Sequence, residues 1–263
     1  MRGLKQVVYM GVLAMSVTSI PVQAEETAAT MAQTGPLKVL LLTGQNNHDW
    51  KNTTPVIQSI LEKNGAFSVT VDEKPADLKA GAFSAYDVIL SNWNTFPKNP
   101  PGVWDSATRA DFINYIESGK GVVVVHAGGA MFYDWPEYQK LIGATWGKTS
   151  THGKIFPFKV AVTDSAHPVT QGMPPLFETV DEIWARMAVN GERHILLTAP
   201  SDRTKKDEAV CFTTTYGQGR CFNLVLGAEA GGIKNSWFQT LLRRGCEWAA
   251  TGAVSARTLK PVE

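Results

Sequence analysis

Residues 37–50, LKVLLLTGQNNHDW, carry the fold in their first half and raise the functional question in their second. Leu37 and Val39–Leu42 form an apolar run broken only by Lys38. Such a run is the pattern of a strand covered on both faces, as strands of parallel sheets are. The next segment, TTPVIQSILEKNG (53–65), sets Val56, Ile57, Ile60 and Leu61 at helical spacing, with a threonine as cap, Pro55 in the first turn and Gly65 as the stop. AFSVTVDE (66–73) alternates as a second strand, YDVILSN (86–92) reads as a third, and SATRADFINYIESGK (106–120) is a helix with Phe112, Ile113 and Ile116 on one face. GVVVVHAGG (121–129) reads as a fourth strand, largely β-branched.

Strands that alternate with helices imply an α/β fold with a mainly parallel sheet, right-handed crossovers and helices on both faces. The later segments FPFKVAVT, ILLTAP and EAVCFTTTYGQGRCFNLVLG are less regular and predict extra edge strands, some antiparallel. KNSWFQTLLRRGCEWAA is a closing helix, and YGQGR between two strands is a hairpin turn. No internal repeat or second boundary interrupts the chain, so residues 37–252 are expected to form a single domain.

The first 24 residues have Arg2 and Lys5, then an apolar stretch, then small residues at Val22-Gln23-Ala24. They read as a cleaved secretory signal, which places the mature protein in the periplasm or outside the cell. The full chain carries a formal charge of +1 with 25 basic and 24 acidic residues, and loss of the two leader bases leaves it near neutral. That balance gives no electrostatic reason to expect nucleic acid or an anionic membrane as partner. Three cysteines, Cys211, Cys221 and Cys246, are too few and too uneven for a disulfide framework, and buried thiols are favoured over a Cys211–Cys221 bridge.

In an open parallel sheet, ligands bind beyond the carboxyl ends of the strands. Asn47, His48, Asp49 and Trp50 follow the first strand, Trp93 and Asn94 the third, and His126, Tyr133, Asp134 and Trp135 the fourth, so all belong to one rim. Tryptophan faces stack on sugar rings, and asparagine, aspartate and histidine match hydroxyl groups. A small-molecule saccharide bound by Asn47, Asp49, Trp50, Trp93, Tyr133 and Trp135 is the expectation, weighed against the plainer reading that loop tryptophans are anchors and strand-end histidines structural. No spaced glycines follow the first strand, so a dinucleotide is not expected.

The stretch VVVVHAGGAMF (122–132) has the shape of a strand, a glycine-lined turn and a helix, which in class I glutamine amidotransferases presents a cysteine. Ala127 is read at that position, so no thiol chemistry is expected. Together KVLLLTGQNNHDW, VVVVHAGGAMFYDWPEYQKLIGATW, THGK, DSAHPVTQGMP, FETVDEIW, YGQGRCFNLVLG and CEWAATG resemble the ThuA-like family, named from trehalose utilisation, over residues 37–252. The resemblance implies a flavodoxin-like, glutamine-amidotransferase-like fold without the cysteine, and a role in the use of disaccharides or of glycosides oxidised to 3-keto forms. It maps the family's recurrent polar positions onto His48, His126, His152, His167 and the pair Asp181-Glu182. Gly227-Ala228-Glu229 departs from the family's glycine–histidine pair, which puts that histidine's role in doubt unless Glu229 substitutes.

His48, His126 and Glu182 are the candidate catalytic residues, and of Asp181 and Glu182 at most one is expected to face the site, because neighbours point in different directions. His48, His126 and His152 could instead hold a divalent metal, zinc or similar, that polarises a carbonyl. His167 and His194 are read as structural and surface residues. Alternatives stay open: an enzyme that eliminates or hydrolyses 3-keto-glycosides, a saccharide-binding accessory protein without chemistry, or a metal-dependent glycosidase, which fits less well without a facing carboxylate pair. An oligomer is compatible with all three.

Overall fold

A computed structural model of the chain describes Gly3, residues 35–98 and residues 100–260. The secretory signal read over residues 1–24 lies outside the described residues, Gly3 apart. The first half runs β1 (Leu37–Leu42), α1 (Trp50–Glu62), β2 (Phe67–Asp72), β3 (Val88–Ser91), α2 (Ser106–Glu117), β4 (Gly121–Val125) and α3 (Pro136–Ile142). The second half adds β5 (Ala144–Thr145), β6 (Thr151–His152), β7 (Phe156–Val162), β8 (Leu176–Asp181), β9 (Trp184–Ala185), β10 (Ala188–Val189), β11 (His194–Pro200), β12 (Asp207–Tyr216), β13 (Gly219–Leu224), α4 (Ala230–Ile233), α5 (Ser236–Thr251) and α6 (Ala256–Leu259).

A nine-stranded sheet has the order β2-β1-β3-β4-β13-β12-β11-β7-β8. The strands from β2 to β13 are parallel, and those from β12 to β8 continue the sheet antiparallel. The expected edge additions are therefore present as one antiparallel wing. Residue alternation along β1 explains why its sequence reads as continuously apolar: Val39 and Leu41 pack on one face with Ile57 of α1 and Leu241 of α5, while Leu40 and Leu42 pack on the other with Phe112 and Leu141. Among the described residues no helix is long and apolar enough to cross a membrane.

The first helix begins at Trp50, three residues before the expected start, and Pro55 lies inside it. Its start is set by the Asp49 carbonyl, which accepts from the Asn52 and Thr53 amides at 3.1 and 3.0 Å. Thr53 and Thr54 are thus buried helix residues rather than caps, and Thr54 Oγ1 hydrogen-bonds Thr43 Oγ1 at 2.6 Å to tie the helix to the end of β1. The hairpin at YGQGR forms as read, with Tyr216 paired to Gly219 and Gly217 at a φ of 58°. Asn235 caps α5, its side chain accepting from Trp237 and Phe238 amides. The three cysteines are free and buried.

Candidate functional site

The fourth strand ends at Val125, and His126–Gly129 form a tight 3-10 turn rather than its continuation. His126 takes a φ of 35°, so the strained residue of the turn is this histidine and not Ala127. The small residues after it are required by their neighbours: a Cβ on Gly128 would lie 2.4 Å from the Ser91 carbonyl oxygen, and one on Gly129 would lie 3.1 Å from the Trp184 ring. The turn therefore presses against β3 on one side and the site's aromatic wall on the other.

The asparagines of QNNHD are the braces between three loops. Asn46 Nδ2 donates to the Asn92 carbonyl at 2.9 Å, and Asn46 Oδ1 accepts from the His48 amide at 2.7 Å. Asn94 Nδ2 donates both to Asn47 Oδ1 at 2.9 Å and to the Ala127 carbonyl at 3.0 Å. The loops that follow β1, β3 and β4 are thus hydrogen-bonded to one another, and His48 is set edge-on to His126, with ring centroids 4.5 Å apart.

Glu182 reaches the same point from the antiparallel wing. Its Oε1 lies 3.2 Å from His126 Nε2 and accepts from Trp184 Nε1 at 2.9 Å, while its Oε2 lies 3.0 Å from His152 Nδ1. His152 and Trp184 are themselves register partners of β6 and β9. Asp181 faces the other way, as neighbouring residues must, and its buried carboxylate accepts from the amides of Gly227, Ala228 and Glu182 at 2.7, 3.2 and 2.9 Å. Glu182 therefore faces the site, and Asp181 holds the loop after β13 against it.

His48, His152 and Glu182 line a cleft of about 350 Å³, solvent mouth included, with walls from Asn47, Phe96, Ala130, Trp146 and Trp184, and His126 lies buried behind them. His126 is 1% exposed, whereas the His152 side chain is 45% exposed at the rim. Burial, reinforced by the neighbouring His126, lowers the His48 pKa to about 4, so its ring is neutral at physiological pH. Burial works against the Glu182 charge, but the close His126 ring, the Trp184 N–H and the nearby His152 outweigh it and hold the carboxyl below the usual carboxylate range.

Of the residues expected from the sequence, Asn47, His48, His126, His152 and Glu182 come together. Trp93 and Trp135 do not: at 2% and 5% exposure they pack with Trp104, Phe112, Phe132 and Tyr138 in an aromatic core beneath the rim, which corrects their reading as sugar-stacking residues. Trp50 lines a separate surface crevice with Lys51 and Val71, and Asp49 is taken by the Asn52 side chain at 2.5 Å. Tyr133 is 37% exposed and lies outside the residues that line the cleft. The walls are instead Trp146 and Trp184, which the rim argument missed because they come from the irregular wing. The signal available was FETVDEIW, where Trp184 falls two residues after Glu182 and so on the same side of an extended segment.

The expected metal trio also changes. The atoms able to ligate a metal that lie within 4.8 Å of one another belong to His48, His126 and Glu182, with His152 one step out, bonded to the carboxylate. Glu229 is exposed, so it does not take the place of the histidine absent at Ala228. His167 accepts from the Val169 amide and packs on Trp248, a structural position, and His194 is paired with Asp164 at 2.8 Å.

A family model for ThuA, described by trehalose utilisation, matches residues 38–249. A ThuA-like protein from Parabacteroides merdae shares 31% identity at a TM-score of 0.74, over 84% of this chain and 92% of its own. A second, from Bacteroides uniformis, shares 19% identity at a TM-score of 0.64, over 86% and 97% respectively. A β-galactosidase from Rahnella sp. R3 shares the fold alone, at 13% identity and a TM-score of 0.53, over 80% of this chain and 30% of the enzyme. Comparison with curated proteins gave no match.

Proposed function

The chain belongs to the ThuA family of trehalose utilisation, and from that premise we propose that it acts outside the cytoplasm on a 3-keto-glycoside or 3-keto-disaccharide, releasing the aglycone by elimination. The observation that carries the reading is the convergence of His48, His126, Glu182 and His152 at the floor and rim of one cleft walled by Trp146 and Trp184. Two tryptophans meeting edge to face at 5.0 Å offer an apolar wall to a sugar ring, while Asn47 and His48 offer hydrogen bonds.

A ketone at C3 acidifies the proton on C2. His152 is the base in this reading: its Nδ1 is turned to the Glu182 carboxylate and the Gly153 carbonyl, which leaves Nε2 with the lone pair. As the C2–H pair moves toward the carbonyl, negative charge gathers on its oxygen. The inner group of His48, His126 and Glu182 supplies the opposing positive charge, carried by a proton on the histidine pair or by an ion between them. The C1–O bond then breaks, the leaving alkoxide takes up a proton, and water adds to the C1–C2 double bond afterwards.

The test is turnover of a panel of glycosides and their 3-keto derivatives by the protein lacking residues 1–24. Release of aglycone from keto forms alone, lost in His152→Ala, is the expected result. Saturable saccharide binding with no release from any member would replace the enzyme by a saccharide-binding accessory protein.

A further inference from the structure

We propose that His48 Nε2, His126 Nε2 and Glu182 Oε1 bind one first-row divalent metal ion of the zinc class, with coordination left open toward the cleft. The inference deepens the reading above and rests on it only for the ion's use, since it names the electrophile of the same site.

The argument starts from backbone groups, whose donor and acceptor roles are fixed. The Phe96 amide donates to Asn94 Oδ1 at 3.1 Å, so Asn94 must present its NH₂ to the Ala127 carbonyl and to Asn47 Oδ1. Asn47 then turns its own NH₂ to His48 Nε2 at 3.2 Å, so that nitrogen is an acceptor, and an ion would take its single lone pair in place of the Asn47 N–H. From the opposite side, the Val225 carbonyl stands 2.5 Å from His126 Nδ1. A carbonyl only accepts, so Nδ1 carries the proton and Nε2 of the neutral ring carries a lone pair.

The two lone-pair nitrogens face each other at 3.2 Å, and Glu182 Oε1 stands 3.2 Å from His126 Nε2. Three acceptor atoms within 4.8 Å of one another repel; a cation among them makes all three attractive at once. One proton relieves a single pair and leaves the third acceptor opposed. The His48–His126 and His126–Glu182 spacings, 3.2 Å each, also suit an ion, because ligand atoms at about 2.0–2.2 Å from a tetrahedral centre stand roughly 3.3–3.6 Å apart. Two histidines and one carboxylate suit a first-row ion with open positions.

The surrounding bonds are those that ligands of an ion require. His126 is oriented by the Val225 carbonyl, and the Glu182 carboxylate is held by His152 on Oε2 and by Trp184 on Oε1. The buried, left-handed turn at His126 and the absence of room for a side chain at Gly128 keep the ligating nitrogen where it is.

The experiment uses tag-free protein treated with chelator and then titrated with Zn²⁺, and separately with Mn²⁺, by calorimetry and by competition with a chromophoric chelator. One Zn²⁺ per chain is expected, bound at least ~100-fold more weakly by His126→Ala and Glu182→Gln, and about 10-fold more weakly by Trp184→Phe, which removes only a supporting bond. His194→Ala should bind as the parent does. Circular dichroism checks that the variants fold, and ¹⁵N NMR of the parent's histidines gives a readout that needs no variant: His48 and His126 Nε2 resonances move on zinc addition while His194 stays. No stoichiometric binding and no histidine shift would overturn the proposal, as would binding that survives both Glu182→Gln and His126→Ala. Zinc bound without aglycone release from any keto-glycoside keeps the metal site and removes the reaction. Release by metal-free protein that binds no zinc keeps the reaction and removes the metal.

Discussion

Asp181→Ala should be among the most damaging single changes outside the cleft, and its size can be worked from the hydrogen bonds it breaks. The carboxylate is 2% exposed and accepts from three amides, those of Gly227 at 2.7 Å, Glu182 at 2.9 Å and Ala228 at 3.2 Å. Alanine leaves three buried N–H donors without that acceptor, each costing about 1–3 kcal/mol. Part of this is offset, because burial raises the Asp181 pKa and the folded protein no longer has to hold an unfavourably placed carboxylate. A net loss of about 3–5 kcal/mol follows. Asp181→Asn keeps one acceptor oxygen but opposes an NH₂ to at least one amide, so a loss of about 1–3 kcal/mol is expected. Equilibrium urea unfolding followed by tryptophan fluorescence measures both, with the alanine midpoint lowered on the order of 1–2 M. An alanine variant within 1 kcal/mol of the parent would refute the reasoning, because it would mean that the Gly227–Ala228 amides are satisfied without Asp181.

Other outcomes follow from the same geometry. Gly128→Ala forces a Cβ to within 2.4 Å of the Ser91 carbonyl oxygen, so it should cost about 1–3 kcal/mol and, by shifting the His126 turn, weaken Zn²⁺ binding measured by chelator competition. Cys211, Cys221 and Cys246 are buried and free, so a thiol reagent should label none in the native protein and all three in denaturant, with mass spectrometry as the readout. Asp134 sits below the usual carboxylate range: burial works against its charge, but the Gly102 amide and Arg109, each at 2.8 Å, outweigh it. A lowered folded pKa gives stability that is present above the unfolded value near 3.9 and lost as pH falls through the folded one. Asp134→Asn should therefore cost under about 1 kcal/mol at neutral pH after solvent screening, and the difference from the parent should close as pH is taken down through the carboxylate range.

The parallel half of the fold was legible because each strand and helix there declares itself locally: β1 and β4 are buried on both faces and so read as unbroken apolar runs. The start of α1 was displaced because Thr53 and Thr54 look like caps, yet the Asp49 carbonyl begins the helix earlier and Thr54 serves a contact with Thr43. His48 and His126 were legible as site candidates, since loops at the carboxyl ends of neighbouring parallel strands must converge. Trp93 and Trp135 were misread for the same reason: that rule places a Cα at the rim, and these rings point down from it into the aromatic core.

Sequence alone determined the layered α/β architecture and the absence of a cysteine at the turn after β4, because hydrophobic period and strand order are local or topological properties, and it named His48, His126 and Glu182 among the candidates. Tertiary structure decided that Glu182 rather than His152 stands nearest His48 and His126, and that Trp146 and Trp184 form the walls. Those outcomes depend on where an antiparallel wing far along the chain joins the parallel sheet, and on contacts between residues 78 to 99 positions apart, such as His48 with His126 and His126 with Val225. Contacts of that range leave no periodic trace in the sequence, since each partner's local pattern is set by its own strand or loop.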